Sequence, residues 1–299
     1  MEVLRFVCDA GGVRLDRFVA EHAAGIGRRR AAAIIAAGAV LVNNRPARKS
    51  QGLHAGDVVT IIAAAVRPER PAAASELAIP VLYEDEVLIA VDKPAGVATV
   101  ALRASDRDTV ANFLVARYAE MADAGGTALE AGLVHRLDTG TSGVLVAART
   151  PAAWHALREQ FRRRAVEKRY VALVAGTVGA ARTLRDPIAH HPTRASAMLV
   201  CADPIRARAL GARPALTSIR PLQERGAETL IAISIATGVR HQIRAHLAAA
   251  GHPVRGDEAY GGAPAPRLML HAVALGFRHP LTGAALLIES PPPSPWAGG

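Results

Sequence analysis

The first periodic stretch of the chain sets Leu15, Phe18 and Val19 on one face of a helix, and a second helical pattern, from about residue 28 to 37, turns Ile34 and Ile35 inward. Gly38 stops that helix. Val40-Leu41-Val42, a turn at Asn43-Asn44, another at Gly56-Asp57 and the apolar run Val58 to Ile62 read as strands. Two helices followed by hairpin-like strands predict a small α/β domain over residues 1–65. Residues 66–80, with Pro68, Pro71 and an Ala-Ala-Ala-Ser stretch, have the composition of a linker.

From Val81 onward, β-rich runs at Val87 to Val91, Val144 to Ala148, Tyr170 to Val174 and Thr229 to Thr237 alternate with helical patterns at Thr109 to Ala119, Pro151 to Arg164 and Arg240 to Ala250. Ile231, Ile233 and Ile235 alternate with small residues, as in a strand with one buried face. The expected fold class is α+β, with one large mixed domain over 81–290 and a disordered tail at 291–299.

Composition narrows the function. The 299 residues are 51% hydrophobic, enough for two buried cores. No run of about 18 uncharged apolar residues exists to span a bilayer, and the N-terminus lacks a signal peptide's apolar middle. A cytoplasmic protein without membrane contact is expected, and Cys8 and Cys201 fit plain buried thiols. Thirty-six Lys and Arg against 26 Asp and Glu give a net charge of +10, which favours a polyanionic partner. Aromatics at 4% argue against an extended stacking platform for single strands. Arg28, Arg29 and Arg30 sit in the first turn of the second helix, where the macrodipole disfavours cations. A phosphate bound there would reverse the sign; a solvated charge run is the alternative.

The most informative stretch is His135 to Gly143, HRLDTGTSG. Its centre matches an aspartic-protease loop, but such an enzyme needs two carboxylates sharing a proton, from two loops or a symmetric dimer. One copy is present, and Arg136 two positions before Asp138 would favour ionisation over sharing. A plain turn remains the structural alternative, since these residue types are turn formers. His190-His191, His241 and His246 lack the spacing or cysteine partners of a metal site, so no metal is expected.

Five segments, in order, resemble the RluA-type RNA pseudouridine synthases: VLYEDEVLIAVDKPAGV, GLVHRLDTGTSGVLVAART, EKRYVALVAG, TGVRHQIRAHLAAAGHPVRGDEAYGG and LMLHAVALGFRHP. They span about residues 80–285. The preceding segment from Val13 resembles the small RNA-binding domain of a ribosomal small-subunit protein and of tyrosyl-tRNA synthetases, with Asn44 where glycine is usual.

The resemblance implies a cofactor-independent isomerase of uridine in structured RNA. Large-subunit ribosomal RNA is the favoured substrate, with transfer RNA as the alternative, and the expected state is monomeric. On the same resemblance Asp138 is the catalytic aspartate, acting either by attacking the sugar or by taking its proton. Arg136 would fill the space left by a flipped base. Tyr170 would pack on the uracil and handle the ring proton, Arg244 would pair with Asp138, and Leu270 would wall the base. His135, Thr141, Arg240, His241 and Gln242, with Arg28, Arg29 and Arg30, complete the expected substrate-binding set. Two departures stand out: Gly140, expected to loosen the loop, and Val239, which displaces an arginine by one position. A non-catalytic RNA binder is the rival reading, and the joint presence of Asp138, Tyr170 and Arg244 speaks against it.

Overall fold

The computed structural model describes residues 2–23, 26–66, 70–74, 76–103, 105–126 and 129–293. The chain forms two compact units, Met1–Arg70 and Pro71–Gly299. The first comprises β1 (Val3–Val7), α1 (Leu15–His22), α2 (Arg28–Ala36), β2 (Val40–Val42), β3 (Arg45–Pro46) and β4 (Val58–Ile62), with sheet order β1-β4-β2-β3. Leu15, Phe18 and Val19 pack with Ile34, Ile35, Val40, Val59 and Ile61, so the helical and strand periodicities meet in one core. Asn43 and Asn44 both take positive φ, at 49° and 61°, which turns β2 back into β3. Asparagine serves where the related domains use glycine because its short polar side chain tolerates left-handed backbone.

Of residues 66–80, Val66 packs on the first core, the backbone of Ala74 bonds to Asn112, and Ile79 is buried in the second unit. Residues 67–69 and 75 of that stretch lie outside the described residues, as do 294–299 of the expected tail.

The second unit runs β5 (Val81–Glu84), β6 (Leu88–Lys93), α3 (Val110–Arg117), β7 (Ser142–Ala148), α4 (Pro151–Arg162), β8 (Glu167–Ala175), β9 (Arg182–Leu184), β10 (Ile188–His190), β11 (Met198–Val200), α5 (Pro204–Ala209), β12 (Thr217–Arg225), β13 (Glu228–Ile235), α6 (Gln242–Ala249), β14 (Leu270–Arg278) and β15 (Ala285–Glu289). Its main sheet has the order β5-β6-β7-β14-β8-β13-β12-β9, with β15 also on β14, while β10 and β11 pair separately. Among the described strands only β7 and β14 pair in parallel; the other ladders are antiparallel.

The middle of this sheet is covered on both faces. Ile89, Val91, Leu145 and Ala147 point into one core with α3 and α6, while Leu88, Ala90, Val144 and Val146 point into another beneath α4. Alternation therefore disappears from β7, all seven of whose residues are buried, and its sequence reads as a continuous apolar run. The strand is a rigid mount for the loop that precedes it.

Candidate active site

Asp138 sits on that loop, which is clasped on both sides. The Thr99 hydroxyl donates to the Leu137 carbonyl at 2.7 Å and accepts from the Leu137 N–H at 3.2 Å. Beyond Asp138, the Thr139 carbonyl accepts from the Gly96 N–H at 2.8 Å and from the Lys93 ammonium at 3.1 Å. Lys93 is fully buried and spends its other donors on the carbonyls of Pro94 and Val97. Burial pulls this lysine down to about 7, against the attraction of Asp138.

The loop closes with Thr141 N–H donating to the Asp138 carbonyl at 3.0 Å. Gly143 follows at φ 112°, where a Cβ would strike the Ala272 carbonyl, so the close approach of β7 to β14 at this position requires glycine. Gly140 was expected to loosen the loop; a side chain there would instead press on Leu268 at 3.1 Å, so the position is closely packed.

Arg244, on α6, donates from Nη1 to Asp138 Oδ2 at 3.2 Å. Its Nε and Nη2 grip the buried Asp257 carboxylate at 2.7 Å each, a bidentate pair that aims the remaining edge of the guanidinium at Asp138. Burial opposes this charge, but Asp257 and Asp138 outweigh it and hold Arg244 above the usual arginine range. His241, at φ 51°, places Nε2 3.8 Å from the same oxygen, Oδ2. The Tyr260 hydroxyl accepts from the Met198 N–H and lies 3.1 Å from His241 Nδ1. Arg244 and His241 both stand on Oδ2, and Oδ1 receives no hydrogen bond from the described residues.

Asp138 opens onto a cleft of about 700 Å³ that Tyr170, Leu270, Arg136, Arg240 and Arg244 also line. No other acidic side chain among the described residues lines it. Tyr170 presents a hydroxyl without a partner among the described residues, and burial, reinforced by Asp138, pushes its phenol further up, so it stays protonated. Leu270 opposes Ala172 across β14 and β8 and is buried beneath the cleft floor.

The other expected residues divide. Arg136 is exposed at the cleft and makes no hydrogen bond or ion pair with a described residue. His135 lines the cleft, but its Nε2 accepts from the Val146 N–H at 3.0 Å and its ring stacks on Phe161, which anchors the loop start. Burial, with Lys168 and Arg158 adding to it, drives this imidazole down to about 3.

Gln242 is a correction. It is buried, accepts from Thr237 and Val239 and donates to Leu216 and Thr217, which exhausts an amide's four positions and leaves none for RNA. Arg240 reaches the carbonyls of Ala195 and Ser196 in the β10–β11 connection. In the first unit, Arg28 is exposed at the start of α2, Arg30 donates to the Ala65 carbonyl, and the side chain of Arg29 lies outside the described residues.

Four residues of the site escaped the sequence reading: Thr99, Lys93, Asp257 and Tyr260. Lys93 and the last two lie within segments that carry the resemblance, yet single letters give no sign of whom they touch. Among the described residues, no group of three His, Cys, Asp or Glu could hold a metal ion, and no helix is long and apolar enough to cross a membrane.

An open carboxylate in a cationic cleft defines an enzyme for a polyanionic substrate, and the comparisons identify its class. Residues 87–249 match the family described as RNA pseudouridylate synthase, and residues 13–59 match the S4 domain. The chain belongs to the RNA pseudouridylate synthase family, an RNA-modifying isomerase class, with an S4 domain ahead of the catalytic unit. It is 33% identical over 297 residues to the ribosomal large subunit pseudouridine synthase D of Nitrosomonas europaea, covering 96% of this chain and 83% of the relative. The protein of the same name from Escherichia coli K12 is 32% identical over 298 residues, covering 94% and 88%. Among solved structures, the human RNA pseudouridylate synthase domain containing 1 aligns with a TM-score of 0.57 at 26% identity, over 72% of this chain and 83% of that one.

Proposed function

We propose that the protein converts uridines of large-subunit ribosomal RNA to pseudouridine, as a monomer in the cytoplasm, with Oδ1 of Asp138 as the reacting atom. The observation that carries the reading is the division of labour on that carboxylate, which lines the cleft: Arg244 and His241 both address Oδ2, while Oδ1 receives no hydrogen bond from the described residues.

In the reaction the bond from uracil N1 to ribose C1′ breaks and one from C5 to C1′ forms. N1 gains a proton from solvent and C5 returns one to solvent, with the Tyr170 hydroxyl placed to relay it, so nothing is oxidised and no group departs. Oδ1 serves either route, attack at C1′ or removal of the C2′ proton, because both need an ionised carboxylate beside the ribose. Arg244 pairs with Oδ2 and so fixes the orientation of the carboxylate. Tyr170, protonated, packs its ring on the uracil and offers its hydroxyl as a donor, while Leu270 walls the base from below. Arg136 enters the stack vacated by the flipped nucleotide. His135 and Thr141 shape the loop that presents Asp138, and Arg240 holds the neighbouring connection. The S4 domain, through Arg28 to Arg30 at the start of α2, engages phosphates of the same RNA.

The test is tritium release from unmodified large-subunit ribosomal RNA labelled at uridine C5, with transfer RNA alongside. The wild type should release tritium from ribosomal RNA, and Asp138→Ala should release none while retaining RNA binding. Tight binding without release by the wild type would instead make this chain an RNA binder, and release from transfer RNA alone would reassign the substrate.

A further inference from the structure

The cleft has a second wall that the isomerisation does not use. It is formed by α4, the turn after it and the start of β8, and it carries Arg158, Arg164 and Lys168. None of the three is paired with a carboxylate among the described residues. Arg158 donates to the Val134 carbonyl at 2.9 Å and Lys168 to the Thr237 carbonyl at 3.0 Å. Nearby acids are already committed elsewhere: Glu159 to Arg162 and Arg163, Glu167 to Arg169.

The three cations bear on a common space. Lys168 and Arg158 both depress the imidazole of His135, while burial and then the charge of Arg164 lower Lys168 to about 8. Converging positive charges without a carboxylate among them raise each other's energy, and an anion between them reverses that. Lys168 and Tyr170 lie two residues apart on β8 and so share a strand face, about 7 Å apart along it. One uridine occupies only part of a cleft of about 700 Å³, which leaves room for a flanking backbone group.

We propose that Arg158, Arg164 and Lys168 form a phosphate-binding site that takes the RNA backbone phosphate adjoining the uridine packed on Tyr170. The site fixes how far the flipped nucleotide advances toward Asp138 and requires a charged polymer rather than a free nucleoside. It rests on the isomerase reading above.

The experiment measures binding of a ribosomal RNA fragment across a salt series, using full-length protein with Asp138→Ala as background so that the RNA stays unmodified. Lys168→Met should weaken binding at least tenfold and lower the slope of log affinity against log salt by about 0.7 to 0.9, one phosphate contact. Lys168→Arg should restore most of both. Inorganic phosphate at constant ionic strength should raise the melting temperature of the protein that keeps Lys168 by clearly more than it raises that of the Lys168→Met variant. Arg164→Ala, at an exposed position, is the second variant should Lys168→Met fail to fold, and it should lower the slope in the same sense. Unchanged affinity and slope in a folded variant would overturn the site. That result would leave the isomerase reading intact, because tritium release by the wild type is scored separately.

Discussion

A single carboxylate outside the reacting group decides what Arg244 does. Asp257 is buried and holds two nitrogens of the guanidinium, so only one edge is left for Asp138. Replacing Asp257 with Asn keeps the volume but removes the charge and one acceptor. The arginine then loses the buried one of its two counter-ions and keeps only Asp138, at a cost of about 3 kcal/mol to folding. Thermal denaturation should show that loss, and tritium release should fall at least tenfold while RNA affinity holds. An Asp257→Asn protein of wild-type stability and turnover would mean that Asp138 alone positions Arg244. Tyr170 offers a contrast at the same scale. Its hydroxyl stays protonated across the working range, so Tyr170→Phe should leave the pH profile of turnover unchanged in shape, lowering its height only; loss of an alkaline limb would show that the phenol titrates during catalysis.

Among the elements, the β5–β6 hairpin shows how a turn can be tied to pH. Burial works against the Asp85 carboxylate, but the Tyr83 hydroxyl, the N–H groups of Val87 and Leu88, and His279 outweigh it and bring it to about 2. The folded value lies below the unfolded 3.8, so the stabilisation is complete above that pH and disappears as pH falls through about 2. It amounts to about 1 to 2 kcal/mol. Acid titration of Asp85→Ala against the wild type should show a stability gap at pH 5 that narrows steadily toward pH 2.

The same scale shows what the sequence reveals. β8, β13 and the helices α3, α4 and α6 were legible because apolar periodicity over eight or more residues is a local signal, and β7 because its apolar run is continuous. β12 escaped, its alternation interrupted by Pro221 and a bulge, and β10 and β11, three residues each, are too short to show a period. Asp138, Tyr170, Arg244 and Leu270 could be proposed because their motifs are contiguous, and the structure brings all four to one cleft. The Thr99 clasp and the Asp257 grip join residues that lie 38 and 13 positions from their partners, and no local pattern encodes such a meeting.

At the scale of the whole molecule, a basic chain with two compact units divides its work between holding RNA and altering it. The S4 unit contributes electrostatic grip, so Arg28→Ala should weaken RNA binding and lower its salt slope by about 0.7 to 0.9, with turnover at saturating RNA unchanged. An unaltered slope would show that α2 begins in a solvated charge run and touches no phosphate. In the catalytic unit, the one parallel pairing among the described strands sets β7 beside β14, and Ser142 bonds to His271 across 129 positions of chain. A ribosome making this protein delivers Asp138 long before the strand that secures its loop. The loop that carries Asp138 is therefore made early and anchored late, once the chain has run the 129 positions from Ser142 to His271.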